Sequence, residues 1–270
     1  METKNDRAVW LEGRAAHCSV IPKRQAHPFR LVLLGAPGVG KGTQAELLGN
    51  YFYACHLSTG DVFRAARNSQ NGARSPAMVT ALECMKRGKL VSDETVLAVV
   101  AERSQCLRCR GGFLLDGFPR TVAQAEALEK LLREQKVRLD AVLDYELPLP
   151  DIIKRLSGRR TCSKCKAVFH VETLPPKIAG ICDHCNGSLF QREDDRPESI
   201  RVRMAAYMEN AAPLKDFYRN KKLLVTIAAT GQPDETFVRT LEALKINRWK
   251  KTLTQTAQTK RPCDALPVKA

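Results

Sequence analysis

The chain is predicted to fold as an α/β protein, with a parallel sheet covered by helices on both faces. Short continuous apolar runs recur along it, which suits strands buried on both sides. Longer amphipathic stretches separate those runs, as helical crossovers between parallel strands require. The 270 residues, 44% hydrophobic and 27% charged, have ordinary globular composition and ample length for a core. No apolar run reaches 18 residues, so a transmembrane helix is excluded.

The elements follow in order. Leu31-Val32-Leu33-Leu34 reads as the first buried strand, and Gln44 to Phe52 as a helix. His56-Leu57-Ser58 is the second strand. Residues 61–90 are helical but broken by Asn68-Ser69-Gln70-Asn71-Gly72 and by Gly88, which marks a small helical insert. Phe113-Leu114-Leu115-Asp116 is the third strand, and Ala125, Leu128, Leu131 and Leu132 then recur at helical spacing. Ala141 to Tyr145 and Leu223 to Ile227 supply the fourth and fifth. Between them, residues 158–196 are punctuated by Cys, Pro and Gly and hold few apolar residues. Such a segment needs a crosslink in place of a core.

The formal charge is +15, which taken alone suggests a polyanionic partner. Residues 1–30 supply +3 and residues 246–270 supply +5, so about half of the excess is in the ends. Both ends lack periodicity and are expected to be basic extensions, 1–29 and 248–270. The apolar run Ala8-Val9-Trp10-Leu11 is too short for a secretory signal, and Glu2, Asp6 and Glu12 count against a mitochondrial one. A cytoplasmic monomer is the expectation; an organelle address in the basic N-terminal stretch is the alternative.

Gly35-Ala36-Pro37-Gly38-Val39-Gly40-Lys41 follows the first strand and leads into a helix. This is the phosphate-binding loop G-x-x-x-x-G-K, in which backbone N–H groups and a helix N-terminus cradle phosphate oxygens while the lysine reaches the outer ones. The fold expected is therefore P-loop NTPase-like, with five parallel strands. Gly42 stands where the common motif has a metal-binding Ser or Thr, and Thr43 follows it. Mg²⁺ would then be held mostly by phosphates and water.

Cys162-x₂-Cys165 and Cys182-x₂-Cys185 have the spacing of a four-thiolate zinc site, structural because no open position remains. His170 and His184 are weaker candidates as ligands. Cys106-x₂-Cys109 has no second pair at zinc spacing and reads as two incidental thiols. Cys18, Cys55, Cys84 and Cys263 form no pattern.

Arginines mark a second phosphate site. Thr59 and Arg64 follow the second strand; Arg120 and Gln124 follow the third; Arg155, Arg159, Arg160, Arg192 and Arg203 come later. Planar guanidiniums suit phosphate through paired hydrogen bonds. Over residues 30–247 the chain resembles the adenylate kinases. The resemblance rests on Gly35 to Thr43, Leu57 to Asp61, Gly88 to Val91, Gly112 to Thr121 and Gly158 to Arg160. Pro175 to Lys177, Asp194-Asp195 and Pro213-Leu214 fit as well.

That resemblance implies ATP + AMP ⇌ 2 ADP with Mg²⁺, in a core (30–60, 91–157, 197–247) flanked by an AMP-binding insert (61–90) and a zinc-stapled lid (158–196). It implies that Gly38, Val39, Gly40, Lys41, Gly42 and Thr43 hold ATP phosphates, that Val168 and Phe169 flank the ATP base, and that Gln232 contributes through its backbone. Thr59, Arg64, Lys89, Leu90, Val91, Gly117, Phe118, Pro119, Arg120 and Gln124 would form the AMP site, with Gln124 reading the adenine edge. Arg155, Arg159, Arg192 and Arg203 would clamp the transferring group with Lys41 and Arg120, and Asp116 would hold Mg²⁺ through water. Arg160 either serves a nucleotide phosphate or pairs instead with Asp194 or Asp195.

The run Ala229-Thr230-Gly231-Gln232 departs from the family's usual Asp-Gly before proline, so a GTP-dependent AMP kinase is the nearest rival. A pyrimidine monophosphate kinase usually has a short lid without zinc. A zinc-ribbon nucleic-acid-binding protein is the rival from another class, but 6% aromatic residues without aromatic–basic interleaving offer no stacking platform.

Overall fold

The computed structural model describes residues 8–12, 27–68, 75–86, 91–165 and 167–244. In chain order these form α1 (Ala8–Glu12), β1 (Phe29–Gly35), α2 (Lys41–Phe52), β2 (Cys55–Ser58), α3 (Thr59–Asn68), α4 (Pro76–Lys86) and α5 (Asp93–Ala101). There follow β3 (Gly112–Asp116), α6 (Val122–Glu134), β4 (Ala141–Glu146), α7 (Leu149–Gly158), β5 (Arg159–Cys162), β6 (Val168–His170) and β7 (Leu189–Phe190). α8 (Pro197–Asn220), β8 (Leu224–Ala228) and α9 (Pro233–Ala243) complete the fold.

Five strands make one parallel sheet in the order β2-β3-β1-β4-β8. Each of the five predicted apolar runs is one of these strands, shifted by no more than a residue or two at an end. The chain leaves β1 to one side for β2 and β3, then crosses to the other for β4. Such a reversal opens a crevice at the carboxyl ends of the strands. Register keeps those ends level: Leu33 and Ser58 both lie opposite Asp116, and Gly35 lies opposite Tyr145.

Side-chain alternation divides the apolar runs between two cores. Val32, Leu34, Leu57, Phe113, Leu115 and Val142 share one with residues of α3, α5, α6 and α8. Leu31, Leu33, Leu114, Leu143, Tyr145 and Ile227 share the other with residues of α2 and α9. Lys215 of α8 adds a polar tie, reaching Asp144 at 2.7 Å and Glu146 at 2.8 Å on β4. The helices start where local chemistry favours it: Ser92 caps α5, Thr121 caps α6, and Gln232 with Glu235 forms a capping box on α9.

Two details differ from the sequence expectation. α2 begins at Lys41, three residues before the amphipathic pattern, because Gly40 takes a left-handed conformation (φ 106°) that starts the helix within the loop. The N-terminal stretch is not wholly without structure. Ala8–Glu12 is a short helix whose Trp10 is buried against the core. A four-residue apolar run is too short to show periodicity, which is why the sequence pattern passed over it. The C-terminal extension, Cys18, Cys263, Lys89 and Leu90 lie outside the described residues.

The lid, unlike the core, is a small antiparallel sheet in the order β6-β5-β7. Its buried centre consists of Cys162, Cys182 and Phe169.

Gly112 at the start of β3 has φ +86°, and a Cβ there would meet the Phe29 carbonyl oxygen at 2.0 Å. Gly112→Ala is expected to destabilise the protein by about 3 kcal/mol, read as a lower midpoint in chemical denaturation with an unchanged slope.

Candidate active site

The phosphate loop links β1, the central strand, to α2 at the carboxyl end of the sheet. Gly38 (φ +84°) brings its backbone against Leu156, where a Cβ would lie 2.5 Å from Cγ. Lys41 folds back across the loop and donates to the carbonyls of Gly35 (2.7 Å) and Ala36 (2.9 Å). Burial lowers its pKa to about 8; Asp116 opposes the shift, and Arg120, Arg203 and Arg159 reinforce it. Residues from β3, its following loop, β5 and α8 thus act on one ammonium, although as many as 162 positions separate Lys41 from Arg203.

Asp116 ends β3 beside the loop, and a Cβ on Gly42 would stand 3.9 Å from its Oδ2. His56 Nε2 lies 3.4 Å from the same oxygen. Burial pushes the Asp116 carboxyl upward, but the His56 hydrogen bond and the charges of Lys41 and Arg120 outweigh it and hold it below the usual range. The sequence places His56 in the second strand but does not mark it as a site residue. It lies two residues before Ser58, hence on the same face of β2, and that spacing could have found it.

Arg155 of α7 donates to Val39 O (3.1 Å), Ala229 O (2.9 Å) and Gly231 O (3.2 Å). It therefore ties the phosphate loop to the turn after β8, next to Gln232. The exposed Gln232 is the N-cap of α9. Of the pair expected beside the base, Phe169 is 5% exposed and packs on the lid cysteines, whereas Val168 is 42% exposed.

Asp195, wholly buried, receives Arg159 through Nε (2.7 Å) and Nη2, and Arg203 Nη1 stands 3.8 Å away. Of the two aspartates weighed for Arg160, Asp195 thus goes to its neighbour, and the Asp194 side chain lies outside the described residues. Arg160 Nη1 donates to the carbonyls of Ser157 (3.1 Å) and Arg159 (2.8 Å). Alternation explains why only one of the two arginines meets Asp195, because adjacent residues of β5 point to opposite faces. Arg192 donates to Thr161 Oγ1 (2.9 Å) on the same strand.

On the other flank, Phe118-Pro119 is a cis peptide, and the turn carries Arg120 back so that its Nε donates to Gly117 O at 2.8 Å. A Cβ on Gly117 would lie 2.8 Å from Thr59 Oγ1 and 3.3 Å from Arg120 Nη2, so the three groups adjoin. Arg64 is held by Asp61 at 2.6 Å. The buried Gln124 accepts the Arg120 N–H (2.8 Å) and donates to Asp93 (2.7 Å), which also accepts from Thr121 (2.6 Å). Asp93 is a second residue that the sequence reading missed, since nothing in the spacing links it to Gln124. Val91 is half-buried just before the Ser92 cap.

In the lid, the Sγ atoms of Cys162, Cys165, Cys182 and Cys185 all lie within 4.8 Å of one another. Cys162–Cys185 are 3.4 Å apart and Cys165–Cys182 3.5 Å. A tetrahedral Zn²⁺ with bonds of about 2.3 Å places sulfurs about 3.8 Å apart, so the cluster fits that ion. The N–H groups of Lys164 and His184 point at Cys162 and Cys182. His170 is committed elsewhere: its Nδ1 accepts from Glu172 and Thr173, and its Nε2 faces Lys154 O. Cys109, read with Cys106 as incidental, faces Cys55 across 3.1 Å, a hydrogen bond that lowers its pKa to about 7 against the opposing effect of burial.

Comparison with known proteins agrees with this geometry. The family model described as adenylate kinase matches residues 33–223. An adenylate kinase of Carboxydothermus hydrogenoformans is 47% identical over 217 residues, covering 80% of this chain and 100% of that protein. One from Streptomyces coelicolor is 48% identical, covering 80% and 99%, and one from Caldicellulosiruptor saccharolyticus 47%, covering 81% and 100%. A match of that extent takes in the phosphate loop, the arginines around Lys41 and the lid cysteines together. The chain belongs to the adenylate kinase family and is a nucleoside monophosphate kinase.

Proposed function

We propose that the enzyme transfers the terminal phosphoryl group of Mg²⁺-bound ATP to AMP, giving two ADP, and so balances the adenine nucleotides. The observation that carries this reading is the convergence of Lys41, Arg120, Arg159 and Arg203 at the carboxyl edge of the sheet. In this reading Gly38 to Thr43 cradle the donor phosphates, with Lys41 on the outer ones, and Arg155, Val168 and Gln232 border the donor nucleotide. Thr59, Arg64, Lys89, Leu90, Val91, Gly117 to Arg120 and Gln124 receive the acceptor. Arg159, Arg192 and Arg203 close over the group in transit.

The chemistry asks little else of the protein. The attacking oxygen of the acceptor phosphate is largely ionised at neutral pH, its second pKa being about 6, so no general base is required. The bond to the terminal phosphorus forms as its bond to the bridging oxygen breaks, and the donor leaves as a diphosphate. Catalysis then consists of in-line positioning and stabilisation of spreading negative charge. Asp116, kept ionised by His56 and Lys41, suits a water-mediated hold on Mg²⁺, which neutralises phosphate charge when bound.

Zinc in the lid has a structural role here, since four protein thiolates leave no position for substrate. Thiolate ligands also favour a reducing compartment, in keeping with a cytoplasmic enzyme. We read the enzyme as a monomer. Among the described residues no helix is long and apolar enough to cross a membrane.

ATP or GTP assayed against AMP, GMP, CMP and UMP is expected to give ADP from ATP only when AMP is present, and Lys41→Met to lower kcat by about 10²- to 10³-fold. Turnover of ATP without AMP would overturn the reading. ATP affinity is expected to fall as pH rises through about 8. Lys41 alone loses its proton there, and the bound phosphates restore it. Calorimetry in buffers of different ionisation heat should show about one proton taken up per ATP at pH 9 and almost none from this lysine at pH 6.5, with the difference abolished in Lys41→Met. Metal analysis is expected to find stoichiometric zinc. Chelation or Cys182→Ser should lower the Tm by about 5 °C or more, whereas equal melting with and without metal would remove zinc from the account.

A further inference from the structure

The first described element, α1, precedes the family match, which starts at residue 33. It is nevertheless built into the core. Trp10 is 1% exposed and belongs to the apolar cluster that contains Leu57, Val62, Val99 and Leu107. Its indole N–H donates to the Ser58 carbonyl at 3.0 Å, a buried contact. Its own carbonyl accepts from Arg103 Nε at 2.7 Å. Arg103 is only 4% exposed, and its Nη1 also donates to Val99 O (2.9 Å) and pairs with Glu102 (3.0 Å). A buried guanidinium is costly unless its donors are met, so the Trp10 carbonyl is part of what allows Arg103 to sit there.

The two contact points flank the helical insert on the core side, one before it and one after α5, the first core helix that follows it. Ser58 is the last residue of β2, directly before Thr59 and α3, and Arg103 follows the end of α5. From Ser58 the link continues towards the proposed acceptor site. Ser58 Oγ accepts the Asp61 N–H at 3.3 Å, and the Asp61 carboxylate holds Arg64. We propose that Trp10 is a positioning residue for the acceptor nucleotide, with α1 acting as a strap that joins the core segments flanking the insert and fixes the approach of Thr59 and Arg64. The proposal rests on the reading above that these two residues receive the acceptor.

The strap acts on the acceptor side, since the Trp10 hydrogen bonds go to Ser58 and Arg103 and not to the donor loop over residues 35–43. In the full chain, Trp10→Ala is expected to raise the KM for AMP by about five- to tenfold while the KM for ATP changes less than about twofold. Trp10→Phe, which keeps a ring in the pocket but loses the N–H, should give an intermediate rise. Hydrogen exchange is expected to quicken in peptides spanning residues 58–64 and 99–105 of both variants and not in those spanning 35–43. Quicker exchange with an unchanged acceptor KM, equal rises in both KM values, or unaltered exchange would each overturn the proposal. If the panel shows another acceptor, its KM replaces that of AMP. The acceptor assignment then fails visibly in the wild type, while the variants still decide the strap.

Discussion

Positive charge gathered at one edge of the sheet is the constraint that the rest of the molecule answers. Lys41 is half-buried and surrounded by guanidiniums, and both effects favour loss of its proton. Flexible surface cations would simply move apart. Here they are fixed to a loop, two strand ends and a long helix, so their repulsion is stored rather than relaxed. Buried carboxylates restrain it: Asp116 beside Lys41, and Asp195 between Arg159 and Arg203. In the proposed site a phosphate would meet donors already held in place and partly screened from water, conditions that strengthen electrostatic stabilisation.

The scaffold meets this demand in three different ways. The central sheet is held by two apolar cores, one per face, and by Lys215 bridging α8 to β4. The helical insert is attached through packing, and the Trp10 contacts tie together the core segments on either side of it. The lid has neither kind of support. Three mostly short strands and a handful of buried side chains cannot outweigh the entropy of ordering nearly forty residues, so four thiols brought together by paired turns take the place of a core.

What could be read beforehand follows from how local each feature is. The strands were legible because Leu31–Leu34 and Phe113–Asp116 carry their burial in consecutive residues. The phosphate loop and the cysteine quartet were legible because their chemistry requires fixed spacing. Partner choice was not. Arg159 and Arg160 are adjacent and chemically identical, and only the pleat of β5 determines which one meets Asp195. Asp93 acts on Gln124 across 31 positions, and Cys55 meets Cys109 across 54. Trp10 was hidden for a further reason, since a single large side chain can anchor a segment without any repeating pattern.

Parallel register gives the sheet two unlike ends. Gly35, Ser58, Asp116, Glu146 and Ala228 close their strands on one side. The opposite side holds the turns that feed them, among them the positive-φ residues Tyr53, Lys136 and Lys222. Substitutions in those turns alter how the chain reverses, whereas substitutions at the other end alter where charge is held. A complete mutational map of this protein would therefore divide along the strand axis, with losses of abundance dominating at one end and losses of turnover in well-folded protein at the other.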